Sequence, residues 1–308
     1  MIIQQPLVSI VTPSYNQVEF LEKTIRSVLD QDYPNIEYII IDGGSTDGSV
    51  DIIKRYEDRL AYWVSESDRG QSHAINKGWQ RASGDVVAYL NSDDLYTPGA
   101  VTAAVRALVS KPIACMVYSD SLLINGQGAP IGKRKSRPFN IREQIVTGGL
   151  VPQPTAFIKR WALDQIGLLD EQLHMVMDYE FWIRLGLRYP ISYLPDIYLA
   201  KMREHPEAKS FAAVHEFPIE RRLVLDKLFS EPSVPPHIRR LRKTAYCGAS
   251  FEQAVLAAYV DQPCGVWRPL LRAVIESPAY VLAERPLDSA YLLTRGLLPW
   301  WKRRPSPT

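Results

Sequence analysis

The stretch Ile36-Glu-Tyr-Ile-Ile-Ile-Asp-Gly-Gly-Ser-Thr-Asp-Gly48 decides the fold predicted for this chain. Its first part, residues 36–41, is almost continuously apolar, as expected for a strand in a central position of a parallel sheet. The part that follows is rich in glycine and in helix-capping residues, which predicts a loop that leads into a helix. The stretch therefore predicts a strand, a loop and a helix in succession.

The same succession is found on both sides of this stretch. Alternating strands and helices predict an α/β fold with a Rossmann-like, mostly parallel central sheet flanked by helices. Ligands of such sheets bind beyond the carboxyl ends of the strands. We therefore expect the polar clusters at residues 13–16, 42–44 and 91–94 to converge in space. The predicted strands are 7–11, 36–41, 60–64 and 85–90, and the predicted helices are 19–30, 49–56, 71–82 and 98–109.

The alternation stops near Gly148, and the rest of the chain has a different character. A helix is predicted at 178–187, and beyond residue 216 the sequence is mostly helical, rich in arginine and interrupted by prolines. We predict a catalytic domain at 1–215, with a nucleotide-binding half at about 1–110 and an acceptor half at about 111–215. Residues 216–308 would form a helical C-terminal region.

The composition limits the class of protein. The chain has 308 residues, of which 46% are hydrophobic and 23% charged, as in ordinary soluble globular proteins. A net charge of +2 gives no reason to expect nucleic acid as a partner. Cys115, Cys247 and Cys264 show neither zinc spacing nor an even count for disulfides. Without a signal-peptide pattern or a long apolar run, we expect a cytoplasmic protein.

The polar run Asn91-Ser-Asp-Asp94 follows a predicted buried strand and places two carboxylates side by side. Adjacent carboxylates repel each other, and a divalent cation is the usual way to balance them. Mg²⁺ and Mn²⁺ are commonly held by one or two carboxylates together with phosphates and water. A solvated turn that caps a helix is the alternative interpretation.

Four segments in order along the chain resemble the motifs of family 2 glycosyltransferases. They are residues 6–16, 41–48, 65–71 and 90–94, and the resemblance extends over about residues 6–210. It implies a GT-A fold and an inverting transfer from a nucleotide-sugar donor, with a divalent metal, Mn²⁺ or Mg²⁺, as cofactor. It implies nothing about the last hundred residues.

For the donor, the resemblance implies a UDP-like or dTDP-like nucleotide sugar, with a UDP-sugar favoured, whose base binds near the ends of the first strands. Asp42 would contact the base, Asp68 the nucleoside or sugar, and Arg69 the pyrophosphate, whose oxygens suit a guanidinium. Asp93 would hold the metal, and His205 is a second candidate ligand. The remaining donor-side candidates are Pro13 and Tyr15 against the nucleoside, Asn91 and Ser92 beside the metal, and Arg203 on the phosphates.

For the acceptor, the resemblance implies a base at Asp178 that takes the proton from the attacking hydroxyl. Met177 stands where an acidic neighbour is usual, and Glu180 is the second candidate. Gln153 and Asp94 would line the sugar and acceptor pocket. The alternative for Asp178 is a residue that only stabilises the start of its helix.

The end of the chain, residues 297–304, combines two tryptophans with three basic residues. Together with residues 270–275 it resembles an interfacial anchor, so a peripheral contact with the cytoplasmic face of a membrane is expected. A packed helical subdomain with a solvated basic end is the alternative.

The sequence thus predicts an inverting, metal-dependent glycosyltransferase that acts on a hydroxyl of a polysaccharide, a glycan or a lipid-linked glycan. A non-catalytic nucleotide-sugar binding protein is the first alternative, supported by Asn91 and Met177 as departures from the family pattern. A nucleotidyltransferase is less favoured, because the loop at residues 12–16 is poor for cradling a triphosphate.

Overall fold

The computed structural model describes residues 5–209, 216–259 and 263–283. It divides into two compact units. The first comprises Met1–Phe139 and Gly149–Ala208, and the second comprises Asn140–Gly148 and Lys209–Thr308. In the described ranges, no helix has the length and apolar character needed to cross a membrane. The sequence predicted a single boundary near residue 215. The structure also groups residues 140–148 with the later helices, which was not predicted.

The first unit is a mixed sheet flanked by helices. Its strand order is β3-β2-β1-β4-β8-β6-β9-β5, with β7 paired to β6. Strands β1 to β4 run parallel to one another, β8 is antiparallel to β4 and β6, and β6 is parallel to β9. The strands are β1 Val8–Ser14, β2 Ile36–Asp42, β3 Tyr62–Ser65, β4 Val86–Tyr89, β5 Leu95–Tyr96, β6 Met116–Asn125, β7 Pro130–Arg134, β8 Phe157–Lys159 and β9 Ile191–Glu204.

Helices cover both faces of the parallel strands. Helices α1 and α4 pack on the face that carries Ile10 and Ile40, where apolar side chains form a continuous core. Helix α3 packs on β1 and β2 from the other face. The helices of this unit are α1 Val18–Leu29, α2 Ser49–Lys54, α3 Gln71–Arg81, α4 Ala100–Ser110, α6 Arg160–Ile166 and α7 Met177–Arg188, with 3-10 helices at Glu57–Arg59 and Gln153–Thr155.

The second half of the sheet is the part that the sequence pattern did not predict. Strand β6 pairs with β7, β8 and β9, so residues 116–125 hold this half together. The pairing of β6 with β9 shifts register around Asp120, where Ser119 lies opposite Leu194 and Asp120 opposite Tyr198. A bulged strand interrupts the two-residue period that sequence reading depends on.

The second unit is helical, as predicted for the region after residue 216. It contains α5 Ile141–Thr147, α8 Phe217–Ser230, α9 Pro236–Arg239, α10 Arg242–Tyr259, α11 Pro263–Glu276 and α12 Pro278–Ala283. Buried Arg221 on α8 joins three of its elements, because it pairs with Glu252 at 2.7 Å and donates to the carbonyls of Ile145 and Val146. The predicted anchor at residues 297–304 lies outside the described residues.

Candidate functional site

The carboxyl ends of the parallel strands bring the polar clusters together at one edge of the sheet. Ser14 lies opposite Asp42, and Asp42 lies opposite Ser65, in the register of β1, β2 and β3. Val11 lies opposite Tyr89, so the end of β4 is next to the end of β1. Residues from distant parts of the sequence therefore meet at this edge.

Asp42 is enclosed by the loop that it organises. Its side chain is 0% exposed. One oxygen, Oδ2, accepts from the Gly44 and Ser45 amides at 3.1 and 2.8 Å and from the Ser65 hydroxyl at 2.7 Å, while Oδ1 accepts from the Ser45 hydroxyl at 2.6 Å. These hydrogen bonds shape the glycine loop beneath the site, and the contact of Asp42 with a nucleobase stays a prediction.

Asp68 and Tyr15 approach each other above this loop, at Gly43. A Cβ atom added to Gly43 would lie 2.9 Å from Asp68 Oδ2 and 3.3 Å from a ring carbon of Tyr15. The Tyr15 ring is 62% exposed, and Asp68 Oδ1 accepts from the Gly70 amide at 2.7 Å. Pro13 is buried below them in β1. Gly43 belongs to the cluster at residues 42–44 that the sequence predicted at this edge of the sheet.

Arg69 is engaged in an ion pair rather than left open at the site. Its Nη2 atom lies 2.5 Å from Glu171 Oε2, and Glu171 Oε1 accepts from Asn76 at 3.2 Å. Asn76 also exchanges hydrogen bonds with the backbone of Leu169. These contacts tie α3 to the segment before α7, so a pyrophosphate contact by Arg69 would compete with Glu171.

Asn91 forms the centre of an amide chain that joins three elements. The Gln71 side chain donates to Asn91 Oδ1 at 2.7 Å, and Asn91 Nδ2 donates to Gln153 Oε1 at 3.3 Å. Gln153 in turn donates to the Tyr89 carbonyl at 2.9 Å. The predicted residues Asn91 and Gln153 therefore contact each other, and Gln71, at the start of α3, is a member that sequence reasoning missed.

Asp93 and His205, the two predicted metal ligands, face each other across 3.2 Å between Oδ2 and Nε2. They are 112 positions apart in the sequence. A carboxylate oxygen and an imidazole nitrogen are suitable ligands for Mn²⁺ and, less so, for Mg²⁺. The described part of the chain has no group of three or more acidic, histidine or cysteine ligands. The pair fits a cation whose remaining ligands come from phosphate and water.

Arg203 holds the loop that carries Asp93 in position through its backbone and side-chain hydrogen bonds. Its backbone amide donates to Asp94 Oδ1 at 2.9 Å, and its Nε donates to the Asp93 carbonyl at 2.8 Å. Its Nη1 donates to the carbonyls of Asn125 and Gly126 at 3.1 and 2.8 Å. The guanidinium is buried, and its Nη2 atom has no hydrogen-bond partner among the described residues, so the phosphate contact of Arg203 stays a prediction.

Asp94 and Ser92 are also buried, and the pocket and donor contacts of these two residues stay predictions. The Thr24 hydroxyl donates to both of their carbonyls, at 2.8 and 2.9 Å. Burial, followed by the charge of Asp93, raises the pKa of Asp94 well above its usual value. These two residues therefore hold the shape of the loop that presents Asp93.

Asp178 lies in the first turn of α7 and is half-buried. Its Oδ1 accepts from the Tyr179 amide at 2.8 Å. Burial, followed by the charges of Asp178 and Asp94, raises the pKa of Tyr89 well above its usual value. Tyr89 is thus electrostatically coupled to both the candidate base and the metal loop. Met177 is buried and its sulfur accepts from the Ser72 hydroxyl at 2.8 Å, so this departure from the family pattern packs α7 on α3.

Glu180, the second candidate base, is occupied by a structural ion pair. Both of its oxygens accept from Arg184, at 2.6 and 2.8 Å. Arg184 also donates to the carbonyls of Ile166 and Leu168. This buried clamp fixes α7 to the end of α6, and the role of Glu180 as second candidate base stays a prediction.

The fold and the site together define a GT-A glycosyltransferase. The fold is similar to that of Staphylococcus aureus TarS 1-349 in complex with UDP-GlcNAc, with a TM-score of 0.64 at 18% identity over 94% of this chain and 88% of that chain. It is also similar to the mannosyltransferase PcManGT from Pyrobaculum calidifontis in complex with GDP-Man and Mn²⁺, with a TM-score of 0.60 at 21% identity over 96% and 80%.

The chain belongs to glycosyl transferase family 2. The family model matches residues 9–159. The putative teichuronic acid biosynthesis glycosyltransferase TuaG of Bacillus subtilis is 38% identical over 185 residues, which cover 59% of this chain and 72% of that protein. The prediction of a family 2 glycosyltransferase is therefore confirmed, as is the prediction of an enzyme with a GT-A fold.

Proposed function

We propose that this protein is an inverting, metal-dependent glycosyltransferase that moves a sugar from a nucleoside-diphosphate sugar to a hydroxyl of a glycan. The observation that carries the proposal is the pairing of Asp93 with His205 at the sheet edge, where Asp93 Oδ2 and His205 Nε2 lie 3.2 Å apart. Within the proposed catalytic domain at 1–215, donor contacts come from the first 110 residues and Asp178 from the acceptor half.

The donor is expected to bind where Tyr15 and Asp68 face each other over Gly43. An exposed aromatic ring offers a stacking surface for a base, and the second oxygen of Asp68 can accept from a base N–H or a ribose hydroxyl. Uracil is the favoured base, supported by the fold likeness to a UDP-GlcNAc complex. Asn91 is expected to lie beside the donor, held by Gln71 and Gln153.

Asp93 and His205 are the residues that would hold Mn²⁺ or Mg²⁺. The cation would supply positive charge against the negative charge that develops on the departing diphosphate. The fold likeness to a mannosyltransferase with Mn²⁺ supports this proposal. Ser92, Asp94 and Arg203 would keep the loop and the pair in position.

Asp178 would act as the base. It accepts the proton of the acceptor hydroxyl as that oxygen bonds to the anomeric carbon from the face opposite the diphosphate. The bond from the anomeric carbon to the diphosphate oxygen breaks, its electron pair leaves with the nucleoside diphosphate, and the anomeric configuration inverts. The acceptor is proposed to be a cell-envelope polysaccharide or its lipid-linked precursor, supported by the likeness to TuaG.

A peripheral contact with an anionic membrane is also proposed, through one face of α11. Trp267, Leu271, Val274 and Ile275 recur at helical spacing on this face and are all exposed. Arg268 and Arg272 are exposed on the same helix. A row of exposed apolar side chains with arginines beside it is suited to a membrane, which has an apolar interior and, when anionic, negatively charged headgroups.

The roles of the proposed residues can be tested by kinetics on the full chain. Release of nucleoside diphosphate from UDP-, dTDP- and GDP-sugars is measured with Mn²⁺, with Mg²⁺ and after chelation. Asp178→Asn and Asp93→Ala are each expected to lower kcat by about 100-fold or more, because each removes a chemical contribution to the transition state. Asp51→Asn, which changes an exposed carboxylate on α2, is the matched control.

The same measurements can contradict the proposal. If both variants fold normally and retain full turnover, the assigned roles are wrong. Binding of a nucleotide sugar without turnover of any acceptor or of water would favour the non-catalytic alternative. Retention of the anomeric configuration in the product, read by proton NMR, would exclude direct displacement.

A further inference from the structure

Phe20, on helix α1, packs against both side chains that contact Asp93 from the end of β9. Its ring centroid lies 4.6 Å from that of the His205 imidazole, and the two ring planes meet at 52°. The Cζ atom of the Arg203 guanidinium lies 4.8 Å from the same centroid. His205 faces the Asp93 carboxylate at 3.2 Å, and Arg203 donates to the Asp93 carbonyl at 2.8 Å. One aromatic ring thus contacts both of these partners of Asp93.

The apolar core does not account for the position of Phe20. Its side chain is buried, with 5% exposed. Leu21, Ile25 and Val28 of the same helix belong to the apolar core of the sheet, whereas Phe20 does not, within the part of the chain that the structure describes. Its ring packs instead on an imidazole and a guanidinium, which both interact favourably with an aromatic ring. The placement indicates a role toward these polar groups.

The contact with Arg203 shows why an aromatic side chain suits this place. The Nη2 atom of Arg203 is buried and has no hydrogen-bond partner among the described residues. The negatively charged face of an aromatic ring attracts a guanidinium, which offsets part of the cost of burying an unpaired donor. An aliphatic side chain at position 20 would fill space without this attraction.

The contact with His205 bears on the metal pair itself. For Nε2 to face Asp93, the imidazole must keep one rotamer, and fixing a side chain costs conformational entropy. A ring packed against the imidazole restricts its rotamers before any cation binds, so less of this cost falls on cation binding. Histidines that bind metals generally depend on neighbours that fix the orientation of the ring.

We propose that Phe20 is a positioning residue of the metal site, which orients the His205 imidazole for a divalent cation shared with Asp93. The inference rests on the proposed function and adds to it a residue that needs no contact with the donor, the acceptor or the cation. Loss of the ring should therefore weaken cation binding even though Asp93 and His205 are both still present.

The test compares the affinity of the full chain for UDP with Mn²⁺ present and after chelation, both by calorimetry, and repeats the comparison with GDP. The ratio of the two affinities reports how tightly the cation is held in the complex, and it requires no turnover. Phe20→Leu is expected to lower this ratio by at least about fivefold while the affinity after chelation stays within about twofold. Phe20→Tyr keeps the ring and should retain the ratio to within about twofold.

Ile25→Val is the matched control. It also shortens a buried apolar side chain of α1, but one that packs in the apolar core. It should leave the ratio unchanged.

A double-mutant cycle distinguishes positioning of His205 from a general disturbance of the fold. If Phe20 acts through His205, Phe20→Leu should change the ratio little further in a His205→Gln background. Proton NMR adds a measurement on the wild type, whose His205 ring signals should be shifted by the ring current of Phe20. These signals are assigned among the five histidines by their loss in His205→Gln.

The outcomes separate this inference from the proposed function. The inference is overturned if Phe20→Leu keeps the wild-type ratio, if Phe20→Tyr loses as much as Phe20→Leu, or if the effect persists in full without His205. The proposed function fails instead, and the inference with it, if the wild type binds neither nucleotide or binds both equally with and without Mn²⁺. Should Phe20→Leu fail to fold, Phe20→Met, which fills the space without a ring, and the wild-type NMR spectrum decide the question.

Discussion

At the scale of single residues, the site depends on small or buried side chains as much as on reactive ones. Gly43 has no side chain, and this absence allows Asp68 and Tyr15 to meet above the loop. Asp42 is buried and holds that loop through four hydrogen bonds. We propose that such residues affect donor binding through the shape of this loop.

Gly43→Ala is expected to weaken binding of the nucleoside diphosphate by about tenfold, which is about 1.4 kcal/mol. The new methyl group would lie 2.9 Å from Asp68 Oδ2, so Asp68 and Tyr15 must move apart. Calorimetric titration with UDP measures the change. Gly132→Ala is the control, because its Cβ would meet Leu123 at an ordinary 3.6 Å. Unchanged affinity in Gly43→Ala would contradict the proposed donor position.

At the scale of elements, α3 connects the sheet edge to the segment before α7. It begins with Gln71, carries Ser72 and Asn76 against the segment before α7, and lies directly on β1. Gly78 permits this close approach: a Cβ there would lie 2.4 Å from Val11 Cγ1. The close packing of α3 on β1 therefore depends on the contact between Gly78 and Val11.

Gly78→Ala is expected to lower the free energy of unfolding by about 1–3 kcal/mol through overpacking, despite the better helix propensity of alanine. Val11→Ala makes room for the methyl group. The double variant should therefore lose about 1 kcal/mol less free energy of unfolding than the two single variants lose together. Contacting residues commonly show a coupling of this size. Urea denaturation of all four proteins gives the cycle. Additive effects would mean that α3 moves freely relative to β1.

At the scale of the whole molecule, the two units present different surfaces. The first carries the site at a sheet edge. The second carries the stripe on α11, in which Leu271 is 62% and Ile275 is 73% exposed. Exposed apolar side chains in a row, accompanied by arginines, are typical of helices that lie in a membrane interface. An enzyme whose acceptor is lipid-linked would benefit from such a surface.

The double variant Leu271→Asp with Ile275→Asp is expected to reduce binding to vesicles that contain phosphatidylglycerol by at least about tenfold, because two apolar contacts are replaced by charges that the lipid repels. Co-sedimentation with these vesicles and with neutral phosphatidylcholine vesicles measures the effect. Ile113→Asp, which changes a 77% exposed side chain in the first unit, is the control. Equal binding by wild type and double variant would exclude α11 as the contact.

The early part of the fold could be read from the sequence because it depends on local patterns. Apolar runs and helical spacing predicted β1 to β4 and α1 to α4 to within a few positions at each end, whereas the two-residue strand β5 was not predicted. The second predicted helix, at 49–56, was too long, because α2 stops at Lys54 and a separate 3-10 helix follows. Strands β6 and β9 were not predicted, because their identity depends on pairing across the sheet and on a bulge.

The sequence by itself determined the family, the alternation of strands and helices in the first 110 residues, and the polar residues at the strand ends. Only the tertiary structure decided which of those residues are reachable. It buried Asp42, Asp94 and Arg203, paired Glu180 with Arg184, and placed His205 against Asp93. The physical reason is that burial and pairing depend on neighbours far away in the chain, whereas a local pattern records only the period of its own helix or strand.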